Sequence, residues 1–538
     1  MMRQENKPSL NLEGITLEKA IDIIHMLLEE IAQLKTEVQE LKDEVNRLKG
    51  EKGRPDIRAQ SKKSLALDHS SEAERKLQKN KNKGKTKKTI KIDRQVIVPL
   101  NKANLPADAK FKGYQSRIIQ DIKICSDNVE YKLESYYSRS LNKTFIAPMP
   151  LGCQDGEFGP GIKALACVLY RDSGMTTHSI ERFLTNFEVQ ISHGTISSML
   201  TEGHDVFHKE KEEIIEASRQ TGLPQQLDDC HCRVNGKNHV THVLCNALCS
   251  IYFTRLKKDR LTVLSFLCCE QLKFRLDEKA IALMTQFKLS PKWHQCLRDM
   301  TQPHDMSREE IDRILQTLFP DPKKYGTNRR IILEATALSY YQQSEYYLKF
   351  LMSDDAPQFN MLAQDHALCW VHEGRHYKKL LPVTKKDRKK VDSFLKQFWD
   401  YYHQLLAYKE NPSEEMQQQL RCQFDSIFTA TTGYSALDQR MAMTRAKKDS
   451  LLPVLEYPFL PLHNNAAELG VRAQVRIRDI NFQTVSEEGT KCKDTFLTIV
   501  QTARKLGVNV YEYIYDRITE KFEMPSLAEI ILRKALPT

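Results

Sequence analysis

An α/β protein built on a mixed sheet is what this sequence predicts, and three observations carry the expectation. Residues 225–269 hold three strand-like runs in succession, QQLDDCHCRV, THVLCNALCSIYFTRL and RLTVLSFLCC. Asn235-Gly236 after the first run is a strong tight-turn signal, because both residue types accept positive φ. A further strand-like run, YYLKFLM, returns near residue 350 after a helical stretch from Glu270 to about Leu338 (EKAIALMTQF, SREEIDRILQTLF). Helical material between early strands and a later one suits a layered sheet with helices packed on it. A second helical stretch over 387–450 (KVDSFLKQFWDYYHQLLAY, SALDQRMAMTRAKKDSLLPVLE) reads as an insertion into the same domain.

With 538 residues the chain is long for one hydrophobic core, so roughly two to four domains are expected. It is 41% apolar and 28% charged, as suits a water-soluble protein, and its net charge of +11 favours a polyanionic partner. Neither a signal peptide nor an apolar run of about 18 residues is visible, so a cytoplasmic location with no membrane partner is the expectation. The thirteen cysteines form no CxxC pair, and several (Cys245, Cys249, Cys268, Cys269) sit in apolar runs as small hydrophobes do.

Residues 1–55 read as a coiled-coil helix. Ile24, Ile31, Val38 and Val45 repeat at one seam position, and Leu27, Leu34, Leu41 and Leu48 at the other. Branched residues at a with leucine at d favour a parallel two-stranded coil, so a parallel homodimer through residues 24–48 is expected. Glu30, Glu37 and Glu44 at g face Lys35, Lys42 and Lys49 at e only when the two chains run parallel. An amphipathic helix packed on its own domain is the alternative. Gly50 to Pro55 ends the helix. Residues 56–89 follow as a basic linker in which Lys83, Lys85, Lys87 and Lys88 can hold phosphates without reading base sequence. From 90 to 157 short alternating segments suggest a small strand-rich module.

Residues 158–220 read as helical. Thr176 or Thr177 can cap the helix through Phe183, and Ser192 the one starting at His193. The pattern resembles a helix-turn-helix with residues 192–200 as its reading helix. Ser192, His193, Thr195 and Ser197 offer small polar contacts there, though no Arg or Lys does, and plain helical packing is the other reading.

Three acidic residues stand out in the mixed-sheet domain, placed at 221–480. Asp228 lies in the first strand, Asp354 just beyond YYLKFLM, and Glu468 near the start of a helix in NNAAELGVR. Three carboxylates gathered at a sheet edge can hold two divalent cations and cut a phosphodiester; solvated acids at element ends are the alternative. Asp229 adjoins Asp228, but neighbouring strand residues face opposite ways, so one of the two should face the metals. Cys369 and His372 have a metal-ligand separation without a second pair to complete a zinc site. Glu468 and Arg472, four apart, share a helix face.

From about Phe158 to Tyr513 the chain resembles transposases of insertion-sequence family sixty-six. The resemblance rests on Asp228-Asp229-Cys230 with Arg233-Val234-Asn235-Gly236-Lys237, on Ser353-Asp354-Asp355, on Cys369, Trp370, His372 and Arg375, and on Pro461, Leu462, Asn464, Asn465, Glu468 and Arg472. It implies a ribonuclease-H-like catalytic domain of DDE type in which Asp228, Asp354 and Glu468 hold two Mg²⁺ or Mn²⁺ ions. Asp355 is a close rival for the second place, since it replaces a common family glycine. Asp229, Asp355, Cys369, His372, Asn464 and Asn465 would support the acids, and Asn464 can cap the helix that carries Glu468. Arg375, Lys378, Arg472 and Arg478 would meet DNA phosphate. The partners implied are the double-stranded ends of a mobile element and its target DNA, with accessory proteins of the same element a further expectation, in a nucleoid-associated setting. Residues 481–538 would close the chain as a helical segment. Departures from the family pattern at Asp229, Cys230, His463 and Asp479 motivate a second reading, a DNA-binding protein whose chemistry has decayed. A third is a structural coiled-coil protein tethered to nucleic acid. The family's zinc segment has only Cys125 and Cys153 nearby, too few for a four-ligand site.

Overall fold

The computed structural model describes residues 24–31, 34, 92–100, 109–154, 156–382 and 384–536. The chain divides into two compact units, residues 1–69 and 70–538. In the first, residues 24–31 and 34 are helical, and Ile24, Leu27, Ile31 and Leu34 are exposed. The rest of the expected coiled coil, and Lys83, Lys85, Lys87 and Lys88, lie outside the described residues.

The span expected to be strand-rich holds, among its described residues, a single hairpin: β1 (Ser135–Ser138) paired antiparallel with β2 (Lys143–Ile146). Val98, Ile119 and Ile122 are largely exposed. Alternation alone does not build a sheet, because a strand needs a partner and a second apolar layer to cover it.

Helices α1 (Pro160–Arg171), α2 (Thr177–Thr185), α3 (His193–Thr201) and α4 (Asp205–Gln220) come next. Thr176 caps α2 by accepting from the Ser179 amide, and Ser192 caps α3 by accepting from Thr195. Ile180, Leu184, Ile196 and Leu200 point their apolar faces into the core these helices share with the sheet domain.

The sheet has five strands in the order β5-β4-β3-β6-β7. These are β3 (Gln225–Val234), β4 (Lys237–Cys245), β5 (Ser250–Arg255), β6 (Leu348–Ser353) and β7 (Ala363–Leu368). The first three pair antiparallel, whereas β6 runs parallel to β3 and β7 parallel to β6. The β3–β4 turn takes positive φ at Asn235 and Gly236, as their side chains allow.

Two of the strand expectations are corrected. THVLCNALCSIYFTRL makes two strands, because Asn246 Oδ1 accepts from the Leu248 and Cys249 amides and folds the chain back. RLTVLSFLCC begins helix α5 (Arg260–Leu267), capped by Asp259, rather than a strand. Val263, Leu264, Phe266 and Leu267 are all buried, so no polar face betrays the helical period.

Helices α6 (Glu278–Gln286), α7 (Arg308–Leu318) and α8 (Pro322–Tyr341) fill the interval before β6. After β7, α9 (Trp370–Lys378) leads to α10 (Lys385–Glu410), α11 (Glu414–Thr429) and α12 (Ser435–Arg445). Those helices have an apolar core of their own around Trp370, Phe398, Tyr401 and Phe424. The chain then returns to the sheet through α13 (Asn465–Asn481) and α14 (Glu487–Leu506), and α15 (Val510–Ile518) and α16 (Leu527–Ala535) follow.

Helix α14 covers the β5 edge. Thr502, Thr498 and Asp494, spaced one turn apart, accept from the amides of Ser250, Tyr252 and Thr254. Side chains thereby satisfy a row of donors that an open edge would leave free to template aggregation. None of the described helices is long and apolar enough to cross a membrane.

Candidate functional site where the sheet divides

Strands β3 and β6 pair only at Gln225–Leu351 and Gln226–Met352, whereas β3 and β4 stay paired to Val234–Lys237. Past Gln226 the parallel pair therefore parts, and the Leu227 carbonyl loses a strand partner. Asn464, fully buried, donates its Nδ2 to that carbonyl at 2.9 Å. One step on, Gln226 Oε1 accepts from the Ala466 amide, satisfying a free donor at the start of α13. The helix start is thus fastened at the fork, and Glu468 in its first turn is presented beside β3.

Asn464 was expected to cap α13 with its side chain. It holds the cap position but makes no side-chain cap bond: its Nδ2 donates to β3, and its Oδ1 is buried without a partner. Cys369 Sγ accepts from the Asn464 backbone amide at 3.3 Å, which makes the cysteine an anchor for this joint.

Close packing sets the depth of α13. A Cβ on Gly470 would lie 2.7 Å from Val243 Cγ1 on β4, and the Tyr252 hydroxyl donates to the Gly470 carbonyl at 3.0 Å. Only a residue without a side chain lets the helix lie this near the sheet.

Asp228 on β3, Asp354 immediately after β6, and Glu468 on α13 are all half-buried. Burial pushes the Asp228 carboxyl up to about 7, against a donated Asp229 amide that pulls it down; the charges of Asp354, Asp229 and Glu468 push it further up. Burial also raises Asp354, while His372 and Lys258 offset that and Asp229 adds to it. The acids therefore share one electrostatic neighbourhood, although their oxygens do not all close to within 4.8 Å of one another. Among the described residues no ion pair reaches Asp228 or Asp354.

Cations stand at the rim. Glu468 Oε1 lies 3.4 Å from Arg375 Nη1 and 3.6 Å from His372 Nε2, and the arginine also meets His372 at 3.0 Å. Burial and then Arg375 lower the His372 pKa, so its ring is neutral at pH 7. Glu468 does not pair with Arg472 on its own helix face: its ion pair is with Arg375 on α9, and His372 stands beside it. Arg472 is exposed, as are Arg375 and Lys378.

The neighbouring acids differ. Asp229 is reached by Gln358 Nε2 at 3.1 Å and Lys258 Nζ at 3.8 Å. Asp355 instead pairs with Lys447 at 2.5 Å, and Lys447 meets the buried Glu373, which also pairs with Arg440. Asp355 thus belongs to a network that ties the sheet to the helical insertion. Asn465 is buried with Nδ2 unpartnered.

Lys258 and Gln358 were missed from sequence. The Lys257-Lys258 pair ahead of the α5 cap was the only local signal for the first, and a lone Gln carried none for the second.

Of the residues expected to meet DNA, Arg478 donates to the His231 carbonyl at 2.7 Å and pairs with Asp479, so it braces β3. Ser192 spends its hydroxyl as a cap, His193 faces Glu181 at 3.8 Å, and Thr195 and Ser197 are half-buried and exposed respectively. Helix α3 packs on α1, α2 and α14.

Comparison with known proteins bears on the second half of this site. Residues 335–492 match the family model described as "Transposase IS66 family". That stretch carries Asp354, His372, Arg375 and Glu468 but not Asp228. The chain is also 37% identical over 186 residues to "Uncharacterized protein y4jO" of Sinorhizobium fredii. The similarity covers 34% of this chain and 57% of that protein, so the chain spans little more than half the length of this relative.

Proposed function

We propose that this chain is a DNA transposase of DDE type that uses Asp228, Asp354 and Glu468 for phosphoryl transfer at the ends of a mobile element. The observation that carries the reading is the placement of three acids, 126 and 114 residues apart in sequence, on β3, at the end of β6 and on the helix that Asn464 fastens to β3. A sheet whose first strand is central, pairs antiparallel with the second and parallel with the fourth supports a ribonuclease-H-like domain. The family match over residues 335–492 supports the same class of chemistry.

Hard oxygen donors, an elevated Asp228 carboxyl and, among the described residues, no cation paired to Asp228 or Asp354 suit a pair of Mg²⁺ or Mn²⁺ ions. When bound, such ions activate an oxygen nucleophile and stabilise the departing 3′-oxygen. The chain's own residues do the rest. Asp228 and Asp354 flank the fork, and Asn464 and Gln226 hold the third acid in register with them. Lys258 stands 3.8 Å from Asp229 at the rim and pairs with neither Asp228 nor Asp354. Arg375 and His372 restrain Glu468, and Arg375 places positive charge where a scissile phosphate would approach.

In this reading α2 and α3 serve as a DNA-reading pair, and the exposed Ile24, Leu27, Ile31 and Leu34 are the start of a parallel dimer seam. The test is cleavage of duplex DNA taken from the sequences bordering the gene. Nicking should require Mg²⁺ or Mn²⁺. It should fall at least about 10³-fold in Asp228→Asn, Asp354→Asn and Glu468→Gln, with DNA retardation in gels unchanged. Nicking that persists in those variants, or in chelator, would overturn the assignment.

One observation favours a second reading. Glu468 is already engaged by His372 and Arg375, an arrangement that also suits a DNA-binding protein that has lost its chemistry. Firm DNA retardation with no metal-dependent nicking would select it.

A further inference from the structure

A second group of ligand-type side chains lies away from the fork, where α4, α14 and the end of α3 meet. His208 Nε2 is 3.4 Å from Glu488 Oε1 and 3.8 Å from Cys492 Sγ, and that sulfur is 3.7 Å from Glu488 Oε1. The point in their plane equidistant from three atoms so spaced lies about 2.1 Å from each, the length of zinc bonds to nitrogen and oxygen, and a small displacement out of the plane toward the fourth position gives the roughly 2.3 Å of a zinc–sulfur bond. These separations are near those between neighbouring ligands on a tetrahedral ion, about 3.3–3.5 Å.

The surroundings are those of a prepared ligand set. His208 Nδ1 lies 2.8 Å from Thr495 Oγ1, which fixes the ring and leaves Nε2 facing the other two groups. Glu488 and Cys492 are one turn apart on α14 and so share a face. His208 and Cys492 are buried, whereas the Glu488 carboxylate is 57% exposed and gives an ion a way in.

We propose that His208, Glu488 and Cys492 bind one Zn²⁺ per chain, with the fourth position open to water on the Glu488 side. Thiolate and imidazole together select zinc over the magnesium that the oxygen-lined fork would take. Binding displaces the Cys492 thiol proton to solvent, leaving a thiolate–zinc bond, and so releases one proton per ion. The ion joins α4, which leads into β3, to α14, which covers β5. It would pin the N-terminal helices to the sheet whatever chemistry occurs at the fork.

The test is cobalt titration of the full-length protein after chelator treatment. One Co²⁺ per chain should give a thiolate-to-cobalt charge-transfer band that Zn²⁺ abolishes, and Zn²⁺ should raise the melting temperature. Cys492→Ser should remove the band. Glu488→Gln, which alters the exposed ligand, should keep the fold by circular dichroism and weaken cobalt binding at least tenfold. Cys245→Ser, at a buried cysteine outside the trio, should change neither band nor affinity. Cobalt bound without the band would assign it to the exposed group of His178, Glu181 and His193, which has no thiol, and would overturn the proposal. So would a band that survives Cys492→Ser, or unweakened binding by Glu488→Gln. If Cys492→Ser does not fold, the Glu488→Gln titration decides alone.

Discussion

Replacing Asp228 with Asn should make the metal-free protein more stable while removing its proposed chemistry. In the folded chain the carboxyl titrates near 7, whereas in an unfolded chain an aspartate titrates near 3.9. Below about pH 4 both states are protonated and the residue has no effect on stability. Between about 4 and 7 the unfolded state has lost a proton that the folded state still holds, so stability falls as pH rises. Above 7 the loss is complete. Three pH units correspond to about 4 kcal/mol, and water reaching the half-buried group reduces this to the order of 3 kcal/mol. Asparagine keeps the shape and still accepts the Asp229 amide, now at 2.8 Å, without the charge. At pH 8 in chelator, Asp228→Asn should therefore exceed the parent by on the order of 3 kcal/mol, or several degrees in melting temperature. At pH 4 the two should coincide. Calorimetry or urea unfolding at pH 4, 6 and 8 measures the difference, and Mg²⁺ should narrow it at pH 8 by stabilising only the parent. A variant no more stable than the parent at pH 8, or one with the same advantage at pH 4, would refute the reasoning.

Three further perturbations address the frame around the acids. Gly470→Ala puts a methyl group 2.7 Å from Val243 Cγ1, so α13 must lift; a loss of about 1–3 kcal/mol in denaturant unfolding is expected, with nicking impaired because Glu468 moves with the helix. Asn464→Ala leaves the Leu227 carbonyl without its side-chain donor and should cost about 1–3 kcal/mol in the same assay. Arg375→Gln removes the cation 3.4 Å from Glu468, so the Mn²⁺ concentration that half-maximally raises the melting temperature should fall several-fold. An unchanged Mn²⁺ midpoint would show that the arginine does not compete for that carboxylate.

Short-range chemistry was legible in the chain alone. Asn235-Gly236 marked the β3–β4 turn, and Thr176 and Ser192 marked helix starts. Each signal works through atoms within four residues, so neighbouring letters suffice. Burial blurred the next level: α5 lacks a polar face and so resembled a strand, while alternating residues such as Val98, Ile119 and Ile122 resembled strands although they are largely exposed.

The three acids could be named from motifs, but not their surroundings. That β3 and β6 separate after Gln226, that Asn464 fills the gap 237 residues away, and that Arg375 rather than Arg472 reaches Glu468 all depend on how elements meet. The convergence of His208 with Glu488 and Cys492 is of the same kind, since no local spacing links residues on α4 and α14. Composition and period specify which segments bury a face, because that choice is made turn by turn along the backbone. Which distant side chains share a hydrogen bond or a charge is decided only when those faces pack, since contacts shorter than 4 Å answer to shape and not to order in the chain.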